Sequence, residues 1–428
     1  MEFVNLSELE FNEFMKKQKT CDFLQSPKMD QLERTKGWDI EYVGIKDNKK
    51  IKCATKLMSR NTRFKKKYYY APSGFLIDYN DLSLLQEFTI NLKKYIKSKN
   101  GYVLHIDPKI INKERDSEGK IVEGGIDNTD LINNLKKLGY EHEGFNTEYD
   151  LNKQMRWVFV KDIEGKNEQD ILKEMKPNTR NLINKAIKYG LKVKELSFEE
   201  LPLFKEVTLA TSKRRNFKDK PLEYYETMYK IFNKDKEIKF LSCELNIKEY
   251  KKNLENELKS EEEKYNKMSS NSGKKKEELI TINGLKKRIE EAQVMYKEHG
   301  DNIILSVAMF MCFSSTVYYY FSGSDYRYMN FNAQYLIQYE MLKYAVENNF
   351  KIYNFLGIKG NFDKNDEDYG VYKFKKSFGG HVEEYIGDFN LPITPMYKLS
   401  KIIKKLRWFN ENRYSMWSSW RKTKIKNN

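Results

Sequence analysis

The chain has 428 residues, of which 39% are hydrophobic and 14% aromatic, and its 78 lysines and arginines outnumber its 62 acidic residues. This length predicts two or three domains, and the composition excludes a disordered chain. The formal charge of +16 favours phosphate-bearing partners such as RNA or anionic lipid. No apolar run approaches the ~18 residues of a membrane span, so any membrane contact should be peripheral.

The cysteines and histidines give no sign of a metal site or a disulfide framework. The four cysteines are far apart and form no C-x-x-C pair. The four histidines are scattered, without metal-ligand spacing. The first residues mix acidic and apolar side chains and do not resemble a signal peptide. These features predict a protein of the reducing cytoplasm.

Strand-like and helix-like segments alternate along the chain. Predicted strands are Tyr68–Tyr70, Tyr102–Ile106, Trp157–Val160, Ile303–Phe313 and Val317–Phe321. Predicted helices are Leu82–Lys97, Asp127–Leu138, Glu168–Gly190, Pro221–Phe232 and Asn332–Asn348. The alternation predicts a mixed α/β protein. The order strand, long helix, strand occurs twice, around residues 68–107 and 306–355, which suggests two related domains.

The sequence changes character between about residues 246 and 300. Apolar residues recur there every three or four positions in two halves, in a background of lysine and glutamate. Residues 269–273, Ser-Ser-Asn-Ser-Gly, have the composition of a turn. We interpret the region as an antiparallel two-helix arm inserted into a globular domain. Its charges nearly balance, so a solvated coiled coil and an RNA clamp are both open interpretations.

The C-terminal segment is basic and rich in tryptophan. Residues 396–409 predict a helix with one apolar face bordered by lysines, and tryptophans and cations follow it. Such segments are typical of interfacial membrane contacts. A terminal helix docked on its own domain, with a frayed basic tail, is the alternative.

Several kinds of catalytic chemistry have no motif in this sequence. There is no G-x-x-x-x-G-K-[ST], no strand-linked G-x-G-x-x-G and no G-x-S-x-G, so nucleotide hydrolysis, dinucleotide chemistry and a covalent acyl-enzyme are not indicated. Lysine, tyrosine, aspartate and arginine remain. These suit a direct transfer in which the acceptor supplies the nucleophile and a cation stabilises the developing oxyanion.

A lysine-rich segment, YGVYKFKKSFGG at residues 369–380, provides a candidate for that cation. The apolar side of its helical wheel holds Val371, Phe374 and Phe378, and the solvated side holds Lys373 and Lys376. Lys375 emerges at the edge of the apolar stripe, where its stem can pack and its ammonium can be aimed. The two glycines suit a helix C-terminus. A surface lysine that reaches into water is the alternative for Lys375.

Nine segments together resemble the Fem family of tRNA-dependent aminoacyltransferases, which build peptidoglycan cross-bridges, with the likeness closest to its FemA-type and FemX-type enzymes. In chain order they are TCDFLQSPKMDQLERTKGWD, YAPSGFLIDY, LHIDP, GFNTEYDLNKQMRW, KPNTRNLINKAIKYGLKV, YYYFSGSDYRYMNFNAQYLIQYEMLKYA, YNFLGIKGNF, DYGVYKFKKSFGG and EYIGDF. They cover nearly the whole chain. Each motif alone is modest, and their shared order carries the resemblance.

The resemblance implies an architecture of two GNAT-like domains. Residues 1–150 would form the first, and residues 151–245 and 301–395 the second. The arm, residues 246–300, would interrupt the second domain as an antiparallel coiled coil, and residues 396–428 would form the C-terminal helix and tail.

The resemblance also implies a reaction. An amino acid would move from aminoacyl-tRNA to the stem-peptide amine of a peptidoglycan precursor, usually the lipid-linked one, with a soluble UDP-linked muropeptide as the other acceptor. No cofactor is needed, because the tRNA ester is already activated. The enzyme would work in the cytoplasm of a Gram-positive bacterium, with peripheral contact at the inner face of the plasma membrane.

The family motifs assign catalytic roles to two residues here. The F-K lysine falls on Lys375, where it would stabilise the developing charge on the ester carbonyl. Phe374, the residue before it in the same motif, would contact the substrate. The I-D-P aspartate falls on Asp107, whose carboxylate would accept or orient the proton of the amine. An aspartate that caps the turn before Pro108 is the alternative. Ser73 stands where the family commonly has an arginine.

Other matching positions concern the precursor. Lys36 matches a lysine that binds the precursor's diphosphate, and an ordinary surface lysine is the alternative. Tyr224 and Tyr320 match substrate-lining tyrosines, with aromatic core packing as the alternative. The arginine expected four residues before Tyr224 is Lys220 here. A lysine cannot make arginine's bidentate contact with a diphosphate, which affects how the precursor would bind.

For the tRNA, we expect phosphate contacts from a basic segment and from the arm. The cations of the segment are Lys176, Arg180, Lys185, Lys188, Lys192 and Lys194, and the arm adds lysines 274–276. Such contacts make binding salt-dependent without base specificity.

Two rival functions come from different classes. An acyl-CoA-dependent GNAT enzyme should carry a Q/R-x-x-G-x-G/A loop, but the nearest match, RTKGWD at residues 34–39, ends in aspartate. A non-enzymatic coiled-coil protein that binds RNA or membrane is supported only by the charge, the arm and the tail.

Overall fold

The computed structural model describes residues 1–18, 21–62, 65–150, 153–269 and 274–403. These residues divide into two compact units. The first contains the described parts of 1–114, 121–156 and 384–403, and the second contains 115–120 and the described parts of 157–383. Each unit is built around its own sheet.

The strands in the described ranges include all five that the sequence predicts, which correspond to β4, β5, β8, β11 and β12. They are β1 (Glu2–Asn5), β2 (Asp39–Asp47), β3 (Lys50–Asn61), β4 (Lys67–Ala71), β5 (Gly101–Ile106), β6 (Ile111–Glu114), β7 (Glu141–His142), β8 (Trp157–Asp162), β9 (Lys192–Glu195), β10 (Ile238–Asn246), β11 (Asn302–Phe313), β12 (Thr316–Ser324), β13 (Ile352–Gly357), β14 (His381–Tyr385) and β15 (Phe389–Pro392).

The helices alternate with these strands, which confirms the predicted mixed α/β class. They are α1 (Glu8–Lys16), α2 (Asp30–Thr35), α3 (Leu82–Ser98), α4 (Thr129–Lys137), α5 (Glu168–Glu174), α6 (Pro177–Lys188), α7 (Leu201–Arg215), α8 (Leu222–Phe232), α9 (Ile247–Lys267), α10 (Lys274–His299), α11 (Ala333–Glu347) and α12 (Tyr369–Lys376). Short 3-10 helices lie at Phe23–Gln25, Pro27–Met29, Phe198–Glu200, Asn233–Asp235 and Tyr326–Phe331.

The sheet of the first unit has the strand order β1-β2-β3-β4-β5-β15-β7, and β4 and β5 are parallel. The connecting helix α3 starts where the side chain of Asp81 accepts a hydrogen bond from Leu84 N. Its buried stripe includes Leu85, Phe88, Leu92 and Ile96. The stripe belongs to the same core as Leu104 and Ile106 of β5, which fixes the end of this strand.

β15 comes late in the chain but lies between β5 and β7. Phe389 pairs with Ile106 on one side and with His142 on the other, and Phe389 and Leu391 are buried in the core of the first unit. The sequence predicts that residues 301–395 belong to the second domain. The structure differs for β15, which belongs to the sheet of the first unit. The alternating pattern of so short a strand is compatible with either sheet. Only the strands with which β15 pairs show to which sheet it belongs.

The sheet of the second unit contains the strands β14-β8-β13-β12-β11-β10-β9 in that order. β12 and β13 are parallel, with Thr316 opposite Ile352, and α11 connects them. Each unit therefore contains one parallel strand-helix-strand element, β4-α3-β5 and β12-α11-β13. These are the two segments in which the sequence repeats the same order.

Residues 168–190 form two helices, although the sequence predicts one. α5 ends at Glu174 and α6 begins at Pro177. Met175 and Lys176 have extended backbones between them, with ψ of 145° and 142°. The residue before a proline is sterically disfavoured in the helical region, and proline itself is well suited to the first helical position.

α9 and α10 run antiparallel to each other. Contacts between them are Arg288 Nη2 to Tyr250 Oη (2.9 Å), Lys251 Nζ to Gln293 Oε1 (2.5 Å) and Lys286 Nζ to Glu262 Oε1 (2.9 Å). At the base, Asn246 of β10 pairs with Asn302 of β11, so the helices leave and rejoin the sheet at neighbouring positions. Residues 270–273 of the predicted turn lie outside the described residues.

The predicted C-terminal helix is described only in part. Residues 396–403 are helical, with Leu399 and Ile402 exposed and Tyr397 buried. Residues 404–428, which include the remaining apolar face and the tryptophans, lie outside the described residues. None of the helices in the described ranges combines the length and apolar character that crossing a bilayer requires.

Candidate active site

Lys375 of α12 is buried, although ammonium groups normally stay in water. Its Nζ donates a hydrogen bond to the carbonyl oxygen of Gly357 at 2.6 Å, and it forms no ion pair with any described carboxylate. Burial lowers the pKa of Lys375 to about 7. An ammonium has three N–H groups, so two remain available for a further acceptor.

The carbonyl group that meets Lys375 lies at an irregular end of β13. The pairing of β13 with β8 shifts between Asn354 and Gly357, and Leu356 has a φ of 59°. The side chain of Asn354 accepts a hydrogen bond from Leu356 N at 2.7 Å, which supports this left-handed conformation. Such a conformation costs a leucine about 1–3 kcal/mol and persists where the surrounding structure enforces it.

Two glycines fix the segment after α12 against its surroundings. Gly379 and Gly380 have φ of 81° and 126°. A Cβ on Gly379 would lie 2.8 Å from the carbonyl oxygen of Glu174, and one on Gly380 only 2.2 Å from that of Val160. Gly379 N donates to the carbonyl oxygen of Lys376, as expected for a helix C-terminus. Only glycine fits this turn, and the turn sets the position of α12.

The helical wheel predicts that Lys373 and Lys376 are both solvated, and the structure confirms this only for Lys373. Lys376 is buried, forms an ion pair with Glu118, and has its ammonium 5.3 Å from the centre of the Tyr372 ring. The prediction is wrong for Lys376 because α12 packs on more than one side, whereas the wheel assumes a single buried stripe.

Phe374 is half-buried and contributes to the packing of α12. Its ring meets those of Tyr335 and Phe378 edge to face, at 5.0 and 5.3 Å between ring centres. These contacts hold the turn of the helix that carries Lys375. A direct contact of Phe374 with substrate stays a prediction.

Lys220, Tyr224 and Tyr320 belong to one group of side chains in the second unit. The ammonium of Lys220 lies 5.6 Å from the centre of the Tyr224 ring, within cation–π range. The buried ring of Tyr224 meets Phe321 edge to face at 6.0 Å, and Phe321 meets Tyr320 at 4.6 Å. Phe321, which has no predicted role, therefore links Tyr224 with Tyr320.

In the first unit, Asp107 directly follows β5 and is buried. Its carboxylate accepts hydrogen bonds from Tyr70 Oη at 2.7 Å and from Ser73 N at 2.6 Å. Burial raises the pKa of Asp107 to about 7, the bond from Tyr70 opposes the rise, and the charge of Asp388 adds to it. The carboxylate thus supports the turn after β4, which differs from the alternative of a cap before Pro108.

Lys36 is exposed, at the end of α2. Its Nζ lies 2.8 Å from Oε1 of Glu33, one turn earlier. Exposed ion pairs contribute little to stability, so Lys36 can exchange Glu33 for another anion at little cost. Binding of a diphosphate by Lys36 stays a prediction.

A row of aromatic rings extends from Trp38, two residues after Lys36, to the partner of Asp107. The distances between ring centres are 6.2 Å for Trp38–Tyr68, 6.3 Å for Trp38–Tyr70 and 5.5 Å for Tyr70–His105. Alternation along a strand already indicates that Tyr68 and Tyr70 share a face. No sequence pattern identifies Tyr70 as the partner of Asp107, because that contact depends on the parallel pairing of β4 with β5.

The predicted tRNA-binding segment, residues 176–194, is only partly available to a ligand. Arg180 donates to three carbonyl oxygens at the end of α5, at 2.9 to 3.3 Å, so its role is to cap that helix. Lys188 Nζ lies 2.8 Å from Oε1 of Glu257 on α9. The RNA-binding role of the other cations stays a prediction.

Comparisons with known proteins agree with this fold. The sequence matches the FemAB family over residues 6–405. It is 34% identical over 422 residues to the aminoacyltransferase FemA of Staphylococcus epidermidis, and the alignment covers 95% of this chain and 100% of that protein. It is 32% identical over 421 residues to the aminoacyltransferase FemA of Staphylococcus aureus, with 95% of this chain and 99% of that protein covered. A crystal structure of FemX aligns with a TM-score of 0.74 and 27% identity, over 93% of this chain and 99% of that one. These relatives confirm the predicted enzyme class, an aminoacyltransferase, and the chain belongs to the FemAB family.

Proposed function

We propose that this enzyme moves an amino acid from aminoacyl-tRNA to the stem-peptide amine of a lipid-linked peptidoglycan precursor, and so builds an interpeptide bridge of the cell wall. Membership of the FemAB family and the FemA relatives support the transfer of an aminoacyl group. The observation that carries the chemistry is the buried ammonium of Lys375, which has one backbone acceptor and no described counter-ion.

In the proposed step, the amine nitrogen of the acceptor attacks the carbonyl carbon of the aminoacyl ester. A C–N bond forms, the ester C–O bond breaks, and the ribose hydroxyl of the tRNA leaves. Negative charge develops on the carbonyl oxygen, and Lys375 stabilises it with an N–H group in surroundings that exclude water. Because the amine is itself the nucleophile, no residue of the enzyme has to carry the acyl group.

Asp107 is the proposed acceptor of the proton that the amine releases. A base works best when its pKa is close to the working pH, and the pKa of Asp107 is raised to about 7. Tyr70 and the backbone of Ser73 fix the orientation of the carboxylate. Asp107 is thus ionised before the attack and neutral in the tetrahedral intermediate. It then gives the proton to the departing ribose oxygen, so the tRNA leaves with a hydroxyl group and the carboxylate is ionised again.

The remaining residues of the proposal bind the precursor. Lys220 and Lys36 supply point charges for its diphosphate, and Tyr224 and Tyr320 line the adjoining segment. The cation–π contact of Lys220 with Tyr224 limits the directions in which this ammonium can point. Since the diphosphate of a lipid-linked precursor lies at the membrane surface, the enzyme works peripherally on that surface.

The first test is the substitution Lys375→Met, assayed with a panel of charged tRNAs and both lipid-linked and soluble acceptors. Loss of one donor to an oxyanion lowers turnover by about 100-fold or more, so we expect that loss in kcat with unchanged tRNA affinity. Lys373→Met, in the same helix but exposed, is the matched control and should keep full activity.

Two results would contradict the proposal. Undiminished turnover of Lys375→Met would remove this lysine from the chemistry. Absence of transfer from every charged tRNA to both acceptors, with the unaltered enzyme, would exclude the reaction itself.

A further inference from the structure

One surface of the second unit combines exposed apolar side chains with cations. Residues 213–218, at the end of α7, read Lys-Arg-Arg-Asn-Phe-Lys, with four cations and no acid, and we call them the basic turn. All six are exposed, and Phe217 is 41% exposed. Leu209, four residues before Lys213 and on the same face of α7, is 39% exposed.

The backbone displays Phe217 in a defined way. Asn216 adopts a left-handed conformation with φ of 53° and ends α7. The N–H groups of Asn216 and Phe217 both donate to the carbonyl oxygen of Ser212, at 3.1 Å for Phe217. A helix end of this kind usually packs its following apolar residue back onto the helix, yet here the phenylalanine stays exposed.

A tyrosine extends the surface next to the basic turn. Ser324 N donates to Thr211 Oγ1 at 3.0 Å, which ties α7 to the end of β12. The guanidinium of Arg214 consequently lies 6.0 Å from the centre of the Tyr326 ring, and Tyr326 is 63% exposed. Aromatic side chains with a polar edge are suited to the boundary between lipid and water.

The positive charge of the basic turn is only slightly compensated by the protein. Arg215 Nη2 lies 3.2 Å from Oδ1 of Asp368. Lys213 and Lys218 form no ion pair with any described residue. The surface therefore presents cations beside exposed phenylalanine, leucine and tyrosine. An anionic membrane complements both features, whereas RNA offers an aliphatic leucine no matching group.

We propose that the basic turn, together with Leu209 and Tyr326, docks this enzyme on an anionic lipid bilayer, with Phe217 inserted among the headgroups. The proposal rests on the proposed function and identifies the surface by which a lipid-linked acceptor is reached. Lys220, assigned to the precursor's diphosphate, follows Phe217 by three residues, which is at most about 11 Å along the chain. A segment that meets a membrane-bound diphosphate has to lie against the headgroups.

The test measures sedimentation of the full-length chain with vesicles of equal parts phosphatidylglycerol and phosphatidylcholine. Phe217→Ser and the double variant Lys213→Glu/Lys218→Glu should each weaken vesicle binding by about tenfold or more. The matched controls are Ile280→Ser, a 72% exposed apolar residue on α10, and Lys93→Glu/Lys94→Glu, two exposed lysines on α3. Both controls should bind vesicles like the unaltered protein, and vesicles of phosphatidylcholine alone should bind none of these proteins strongly.

Transfer assays with two acceptors separate this proposal from the proposed function. Transfer to a soluble UDP-linked muropeptide should be unchanged in the variants of the basic turn. Transfer to the lipid-linked precursor in vesicles should fall by about tenfold. Absence of transfer to either acceptor by the unaltered enzyme would exclude the proposed function, while sedimentation would still decide the docking.

Three outcomes would overturn the docking. They are failure of the unaltered protein to sediment with the anionic vesicles, equal sedimentation of the variants and the unaltered protein, and a loss of tRNA affinity with normal vesicle binding in the double variant. The last result would assign the surface to RNA.

Discussion

Burial shifts the pKa of two ionisable side chains, Lys375 and Asp107. It lowers the pKa of Lys375 to about 7 and raises the pKa of Asp107 to about 7. In both cases burial disfavours the charged form. The folded protein therefore loses stability by keeping these groups where they are. Groups of this kind are concentrated at functional sites, because catalysis near neutral pH needs them.

The pH dependence of the reaction follows from these two pKa values. Asp107 has to be ionised to accept a proton, so activity should rise as the pH increases toward about 7. Lys375 has to be protonated to stabilise the oxyanion, so activity should fall as the pH increases beyond about 7. We expect a bell-shaped profile of kcat/KM with its maximum near neutral pH, measured with a soluble acceptor.

The substitution Asp107→Asn tests whether Asp107 causes the rise in activity on the acidic side of the pH profile, which we call the acidic limb. The variant should be slow at every pH and should lack the rise in activity that precedes the maximum. An unchanged acidic limb in this variant would assign that limb to another group.

Removing the buried ammonium should stabilise the protein. At pH values below about 7, Lys375 is protonated in both the folded and the unfolded state, and the full cost of burying the cation is present. Lys375→Met removes that cost and should raise the free energy of unfolding at pH 6 by about 1–3 kcal/mol, measured by urea denaturation.

The same pKa shift gives the sign of the effect at higher pH. Above about pH 7 the unfolded chain still binds the proton that folded Lys375 has released, so the stability of the unaltered protein rises with pH. The advantage of Lys375→Met should therefore be smaller at pH 9 than at pH 6. A variant less stable than the unaltered protein at pH 6 would show that the hydrogen bond to Gly357 outweighs the cost of burial.

Among the elements, α12 is positioned in part by the turn at its C-terminal end, and two glycines test the contribution of this turn. A Cβ on Gly380 would meet backbone atoms of β8, and its φ of 126° is strained for any other residue. We expect Gly380→Ala to lower the free energy of unfolding by about 2–4 kcal/mol, measured by thermal denaturation, and to reduce kcat by displacing Lys375.

Gly370, inside α12, provides the matched control. No atom lies within 4 Å of the place where its Cβ would be, and its conformation is helical. Gly370→Ala should therefore stabilise the protein by about 0.5–1 kcal/mol and leave kcat unchanged. Equal melting temperatures for the two alanine variants would contradict this account of the turn.

The sequence predicts these elements where the signal is local. Helix α3 is recognisable from its cap and its stripe of leucines and phenylalanine, and β11 and β12 from their apolar runs. The predicted single helix over residues 168–190 is wrong at the break between α5 and α6, although Pro177 is a local signal for it, since a proline restricts the residue before it. The burial of Lys376, the bond from Tyr70 to Asp107 and the position of β15 depend on contacts between distant segments, which no local pattern contains.

For the molecule as a whole, the arm is an insertion between two neighbouring strands. Asn246 and Asn302 pair at its base, and the core of the second unit includes Tyr250, Leu254, Leu285 and Ala292 from the part of the arm close to the sheet. The outer part can therefore be shortened without exposing that core.

Deleting residues 259–283 and joining the helices with a short glycine-containing loop should leave the protein folded, with a melting temperature within about 4 °C of the original. The deletion removes six lysines and five glutamates, so the net charge hardly changes. We expect the tRNA affinity, measured at several salt concentrations, to change by less than about threefold. A larger loss with a shallower salt dependence would identify the arm as an RNA clamp instead of a solvated coiled coil.

The position of β15 determines when the first unit can be completed during synthesis. β15 separates β5 from β7, and Phe389 and Leu391 fill part of the core around them. A nascent chain must therefore emerge from the ribosome past the whole second unit before this sheet can close. Until then the edge of β5 has unpaired backbone groups that can pair with strands of other chains. The first unit, although most of it is translated first, therefore completes its sheet last and is exposed to misassembly for longer.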